Sequence, residues 1–479
     1  MNRNRISLTV SRAMLALFLS LILQSCANVD FDQSLQKTNQ TAADFTQGKL
    51  ALAQTKEQRE ERSRIAGQIL EKPVSQNDAV LLALVNSPGL QALLAQNWSD
   101  AATAAQTGRI SNPVFTFERL ASINELELSS LLAFALLDLL TLPQRYDMAQ
   151  NMIEHTQLQL TVTAVDHLTQ VRQGWVKAVA AQQSLTYAKQ VYDAAEASAE
   201  LARQLQSVGN FNRLQRARQQ AFYADAATLL ATSQQTATAT REELIRLLGL
   251  SDTQAQALVL PDRLPDLPGE PLSPDEASRI TSAARLDIRL ARSEFEAAAK
   301  AQGLTAFTSI SDIELGLRYD TVKDKSSNHK TIRRGFEISV SLPLFDWGDA
   351  RRDAMNARTL AAANRLEATV RAAGSNLRQS YSVYRTAFDL ARHYRDEVVP
   401  LRKVISEENL LRYNGMLIGV FELLADSRAQ TSSVIEAIAA EERFWLADAA
   451  LQASLIGKPV LTPVASPAGG GNGSSDVQH

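Results

Sequence analysis

The sequence predicts a mainly α-helical protein with a membrane β region. Long antiparallel helices would be joined to four β-strands per chain. Three observations carry this. Residues 144–207 contain no proline and one glycine, a helix of ~95 Å if unbroken. Short stretches alternate apolar and polar residues with a period of two, as amphipathic strands do. The order helix, two strands, long helix, shorter helix occurs twice, with matched landmarks about 200 residues apart, a supersecondary block rather than a solenoid unit.

The chain has 479 residues, 45% of them hydrophobic and 6% aromatic, with 20 Gly and 14 Pro. That composition excludes general disorder and favours long helices over a β-sandwich. Cys26 is the sole cysteine, so an internal disulfide is impossible. Arg3, Arg5 and Arg12 precede an apolar run from Ala13 to Leu23, the pattern of a secretory signal. Leu23-Gln24-Ser25-Cys26 follows at once, making residues 1–25 the expected signal peptide and Cys26 the expected lipidation site. The competing reading is an ordinary signal peptide with an incidental cysteine, or an N-terminal membrane anchor. Loss of residues 1–25 removes three positive charges and takes the formal net charge from −3 to −6. No dense basic run remains, so nucleic acid is not an expected partner.

Residues 26–72 form an N-terminal lipid-anchored extension, polar and charged, read as a solvated tail or linker with some helix. The first repeat spans 73–272. Ser75 caps a helix that runs to about Thr107 with a break near Pro88-Gly89. Phe115 and Phe117, then Leu126 and Leu128, alternate with polar residues, giving two strands within 113–142 that meet near Asn124. Residues 131–143 lose strict alternation, and a buried helical segment competes there. A helical hairpin covers 144–249, broken at Gly209-Asn210, with a linker over 250–272.

The second repeat spans 273–457. Ser273-Pro274-Asp275-Glu276 opens its first helix. Strands lie within 310–343: Ile313 to Tyr319, then Phe336, Ile338, Val340 and Leu342 as a lipid-facing set, separated by a loop from Thr321 to Arg334. Pro343 ends the second strand. The hairpin covers 344–457, its long arm from Asp349 to Arg412 interrupted by Pro400, with a break at Asn414-Gly415. Residues 458–479 read as a disordered tail.

Four strands with open edges cannot rest in lipid alone, because unpaired backbone groups are costly there. Spanning barrels begin at eight strands, so several copies must share one. The competing reading is a small soluble sheet with one face on a core. For the helices, the shorter pair in each half, stacked end to end, matches the long helix, the inventory of a wall of equal rods; the competing reading is a coiled-coil scaffold.

The residues resemble the TolC-like outer-membrane efflux protein family. The lipobox at Cys26, SVSLPLFDWGDAR at 339–351, the duplicated element order, and the tips SVGNFNRLQRARQQ at 207–220 and RYNGMLIGVFELLADSRAQ at 412–430 carry the resemblance. It covers roughly residues 75–457; in the first half LTLPQRYDMAQ lacks the Phe-Asp and Gly of the second corner. The resemblance implies a homotrimeric outer-membrane channel, lipid-anchored and extending into the periplasm, in which three chains close a 12-stranded transmembrane β-barrel that continues into a long antiparallel α-helical barrel. It would give passive export for a tripartite efflux pump or type I secretion system, with a periplasmic adaptor protein and an inner-membrane transporter as partners. It also implies a periplasmic gate at Glu422 and Asp426, where a ring of carboxylates would attract cations; the alternative is a solvated acidic pair. Val208, Gly209, Asn210, Asn414, Gly415, Met416 and Leu417 would form adaptor-docking hairpin tips, or be ordinary turn residues. Gly209 and Gly415 are expected to take the left-handed conformation.

His155, His167, His329, His393 and His479 show no metal-ligand spacing, and no nucleotide or nucleophile motif occurs. No metal, cofactor or enzymatic activity is expected. The rival function is a lipid-anchored periplasmic coiled-coil scaffold or adaptor without a barrel.

Overall fold

The structure is a computed structural model that describes residues 30–280, 285–308, 313–325, 327, 329–342 and 344–459. Cys26, Pro343 and the tail from 460 lie outside them. The chain clusters into two compact units. Of the described residues, one comprises those within 30–55, 88–164 and 286–373, the other those within 56–87, 165–285 and 374–459. Each draws on both halves of the sequence.

The first unit holds the sheet. Strands β1 (Val114–Ala121), β2 (Glu125–Ala135), β3 (Ile313–Asp324) and β4 (Lys330–Val340) form one antiparallel sheet in the order β1-β2-β3-β4. Register follows the alternation, because a one-residue slip would exchange the faces. Phe336 pairs with Leu317 and Ile338 with Leu315, and Phe115 with Leu132; these side chains share one face. The other carries Glu118, Glu127, Glu314, Asp320 and Glu337 with Arg318 and Arg333. On it, Arg318 Nε donates to Asp320 Oδ2 at 3.0 Å. Its guanidinium also donates to Ser129 Oγ at 3.2 Å and lies 3.8 Å from Glu337. Ser129 donates to Asp320 as well.

Two sequence expectations change here. Residues 321–334 are mostly strand rather than loop, since β3 continues to Asp324 and β4 begins at Lys330. The polar residues of this stretch still alternate between faces, and ladder hydrogen bonds do not depend on hydrophobicity. Leu342 lies beyond the end of β4 at Val340, two residues outside the ladder, though it is exposed like the rest of its set.

The N-terminal segment is not a solvated tail. Helices α1 (Phe31–Thr41), α2 (Ala43–Thr46) and α3 (Lys56–Ile69) are ordered. Phe31, Leu35, Phe45 and Leu50 are buried, and Phe31 stacks on Trp98. Asn39 behaves as a piece of backbone, donating to Leu50 O and accepting from Leu50 N–H, both at 3.0 Å. Gln91 does the same for Ala51 O and Ala53 N–H.

Between α3 and the sheet lie α4 (Gln76–Asn86) and α5 (Pro88–Thr107). Ser75 and Asp78 form a reciprocal capping box at the start of α4. β2 passes through α6 (Leu136–Leu140) into α7 (Leu142–Ser207), a helix of 66 residues. Pro143 is tolerated in its first turn, where no N–H donor is needed. α8 (Arg213–Leu248) has 36 residues, and α9 (Asp252–Ala257) is a short helix inside the linker.

The second half repeats this order in α10 (Pro274–Ile280), α11 (Leu286–Thr308), the strands, α12 (Asp349–His393), α13 (Val399–Asn414) and α14 (Val420–Leu455). A five-residue π-helical segment, Tyr394–Val398, joins α12 to α13. The three pieces together equal the 66 residues of α7, and α14 equals the 36 of α8. Pro400 therefore does not break the long arm. Its missing N–H and its ring are accommodated by widening the preceding turn into a π-bulge.

The corners from strand to long helix are built differently. In the second half, Gly348 N–H donates to Asp346 Oδ1 at 2.8 Å and Gly348 has φ +70°. The first half lacks that Asp and Gly. There Arg145 pairs with Asp138 at 2.8 Å and donates to Thr107 O at 3.1 Å. An ion pair stands where the other corner has a side chain-capped turn.

The second unit has an aromatic core of Tyr384, Phe388 and Phe444, with Leu451 and Leu455. Tyr381 and Tyr384 tie the linker to α12 through Leu272 O and N–H, each at 3.1 Å. Phe444 is 1% exposed and touches the rings of Tyr384, Phe388 and Trp445. Phe444→Ala should destabilise this unit by about 3–5 kcal/mol, read as an earlier thermal unfolding transition.

Candidate functional site

Both helical hairpins turn at largely exposed ends. α7 terminates in a Schellman motif: Asn210 N–H donates to Leu205 O at 2.9 Å and Gly209 N–H to Gln206 O at 3.0 Å. Gly209 takes the left-handed conformation with φ +81°. Asn212 and Gln215 then cap α8 reciprocally.

α13 ends in the same motif. Leu417 N–H donates to Arg412 O at 2.8 Å and Met416 N–H to Tyr413 O at 2.9 Å. The left-handed residue is Met416, with φ +58°, whereas Gly415 sits at φ −78°. The expectation that Gly415 supplies this conformation is therefore corrected by one residue. Turn position is set by where the helical hydrogen bonds run out, and the glycine falls one step early. A β-carbon in this conformation is strained by about 1–2 kcal/mol.

Val208, Met416 and Leu417 are 68%, 93% and 74% exposed. Gly209, Asn210, Asn414 and Gly415 are exposed beside them, so each hairpin ends in a small apolar surface around a tight turn. Glu422 lies in the first turn of α14 and is exposed. Asp426, one turn on, is buried, and its Oδ2 has no hydrogen-bond partner.

Several ties near the tips join residues far apart in sequence, and no motif announced them. Arg428 lies over the Phe222 ring at 5.3 Å and reaches Asp225 at 3.5 Å, joining α14 to α8. Ser406 donates to Gln430 at 3.1 Å between α13 and α14. The Tyr192 and Tyr223 hydroxyls are 2.8 Å apart between α7 and α8. That hydrogen bond, with burial and Glu196, pushes Tyr192 up to about 12.

Farther along α14, three carboxyls are raised above their ordinary range, chiefly by burial. Asp448 is pulled back down by Arg172 and a hydrogen bond with Gln452, and Glu442 by Lys177 and Arg443. Glu441 is raised further by Asp266 and lowered by Arg263 and Arg395. Among the described residues, no cluster of three or more His, Cys, Asp or Glu is placed to hold a metal. Among them also, no single helix is long and apolar enough to cross a membrane.

The geometry matches solved outer-membrane proteins. The Campylobacter jejuni CmeC outer membrane channel superposes with a TM-score of 0.66 at 13% identity, covering 85% of this chain and 91% of that one. The open state of the Neisseria gonorrhoeae MtrE outer membrane channel gives 0.59 at 18%, covering 83% and 89%. The Vibrio cholerae outer membrane protein VceC gives 0.62 at 16%, covering 80% and 96%. The chain has the TolC-like fold. No protein-family model matches it, and neither does any curated protein. At these identities the likeness is one of fold.

Replacing Met416 by Gly should stabilise the second tip by about 1 kcal/mol, seen as slower hydrogen exchange at residues 412–418; Met416→Ala should not. The raised carboxyls act in the opposite sense to a salt-bridged acid. Their protonation is easier in the folded chain, so their contribution is complete below the unfolded pKa and is lost as pH rises through the raised folded value. Hydrogen exchange in α14, corrected for the intrinsic amide rate, should therefore slow as pH falls from neutral toward the unfolded carboxylate range at about 4, and Asp448→Asn should reduce that change.

Proposed function

We propose that this chain is the protomer of a homotrimeric outer-membrane channel, lipid-anchored at Cys26, that gives passive export for a tripartite efflux pump. The observation that carries it is the sheet: one face is apolar, exposed on β1 and β4 and half-buried on β2, the other carries a charged network, and β1 and β4 each keep an open edge among the described residues. Such a sheet suits lipid on one side and water on the other only when its edges are paired by further copies. Three copies make twelve strands, within the range known for such barrels. The TolC-like fold, with two long helical hairpins continuing from the strands, supports the reading.

On this proposal the apolar turns at Val208, Gly209 and Asn210 and at Asn414 to Leu417 dock a periplasmic adaptor, which links the channel to an inner-membrane transporter. Glu422 is the gate residue, because its carboxylate is exposed in the single chain. Asp426 is its partner one turn up, and its unpartnered oxygen is what an inter-chain contact at the gate would satisfy.

The test is reconstitution. Protein purified from membranes should run as a heat-resistant trimer in detergent and conduct ions in planar bilayers. A monomer in detergent, without conductance, would instead support the scaffold reading. Glu422→Gln should weaken cation selectivity and block by multivalent cations; unchanged selectivity removes Glu422 from the constriction. Cys26→Ala should abolish incorporation of labelled fatty acid.

A further inference from the structure

The two faces of the sheet differ in sign as well as in polarity. Strand pairing places every acidic residue of β1 to β4 on the face that holds Arg318 and Asp320. On the apolar face the charged residues are Arg119, Lys323, Lys330 and Arg334, all basic. All four lie in the part of the sheet nearest the hairpin turns. Lys323 pairs directly with Lys330 in the last row of the β3–β4 ladder, and Arg334 pairs with Tyr319, its guanidinium 5.6 Å from the ring centroid. Toward the helices the same face continues with apolar residues only, among them Leu317, Phe336, Leu315 and Ile338.

Like charges directly opposite in an antiparallel pair are destabilising. Neither Lys323 nor Lys330 has an ion-pair partner among the described residues, and no acid on their own face is available to supply one. Long basic side chains at the rim of an apolar surface lay their stems on it and carry the charge to the polar boundary. There the complementary group is an anion attached to an apolar body.

We propose that the turn end of the apolar face binds the phosphate of an anionic lipid, held by Lys323, Lys330 and Arg334, with Arg119 on the neighbouring rim. The acyl chains would lie along the apolar rows below. This rests on the reading of that face as lipid-facing. The lipid anion offsets the Lys323–Lys330 repulsion, and the site is distinct from the channel interior, where the acids lie.

The full-length protein, extracted in neutral detergent, is incubated with phosphatidylglycerol or with phosphatidylcholine, and retained lipid is counted by native mass spectrometry. Wild type should prefer phosphatidylglycerol, and each basic residue removed should weaken its retention about fivefold. The triple variant Lys323→Gln/Lys330→Gln/Arg334→Gln should fall to the phosphatidylcholine level. Lys330→Gln alone should lose about fivefold, which keeps the test valid if the triple variant fails to assemble, and Lys330→Arg should retain binding. Equal retention of the two lipids, or variants that bind like wild type, overturns the site. If wild type conducts ions in planar bilayers in that case, the lipid-facing reading survives and only the lipid site falls. If wild type does not conduct, the lipid-facing reading falls and takes this proposal with it.

Discussion

Backbone N–H and C=O groups on a strand edge must find partners, and in hydrocarbon no water can supply them. Among the described residues there is one four-stranded sheet with an edge at β1 and an edge at β4, and its apolar face is exposed on both edge strands. Phe336 is 74% exposed and Phe115 65% exposed, a state a soluble domain would avoid by packing a helix over the sheet. The opposite face is arranged for water, with Arg318 engaging Ser129, Asp320 and Glu337 together. Everything proposed about assembly follows from pairing those two edges without covering the apolar face.

The helical parts answer a different demand, that of ending long helices in tight turns and holding them together. Both long arms finish in the same hydrogen-bond motif although their sequences differ, because the motif belongs to the backbone and needs only one residue in the left-handed region. Gly209 meets that need without strain and Met416 meets it with strain. The ties just beyond the tips are mostly polar: Arg428 with Asp225, Ser406 with Gln430, and the Tyr192–Tyr223 hydroxyl pair. Polar contacts of this kind exchange readily for water, so they hold the hairpins with less commitment than the Tyr384–Phe388–Phe444 core does.

The buried carboxyls of α14 add a chemical asymmetry. Asp448 and Glu442 face α7's Arg172 and Lys177, so the helix interface carries charge that burial penalises and nearby cations offset. The N-terminal segment contributes in another way, with Asn39 and Gln91 supplying backbone-like hydrogen bonds that fasten an otherwise irregular stretch.

Much of this was legible in the residues because it depends on local periodicity and local caps. The strand alternation around Phe115 and Phe336, the Ser75 and Ser273 helix starts, and the hairpin breaks are all decided within a few residues of one another. The tertiary structure alone decided that residues 30–69 pack rather than trail, because their partners at Trp98, Gln91 and Thr161 are distant in sequence. It also decided that Pro400 is absorbed by a π-bulge, and that Met416 rather than Gly415 turns the second tip. Where a helix ends depends on which carbonyls still have donors, a count that composition does not record. The side of the sheet on which each charge falls is the remaining case. Alternation separates the residues of one strand into two sets, but only the pairing of four strands brings all the acids to one face and leaves the other with bases as its only charges.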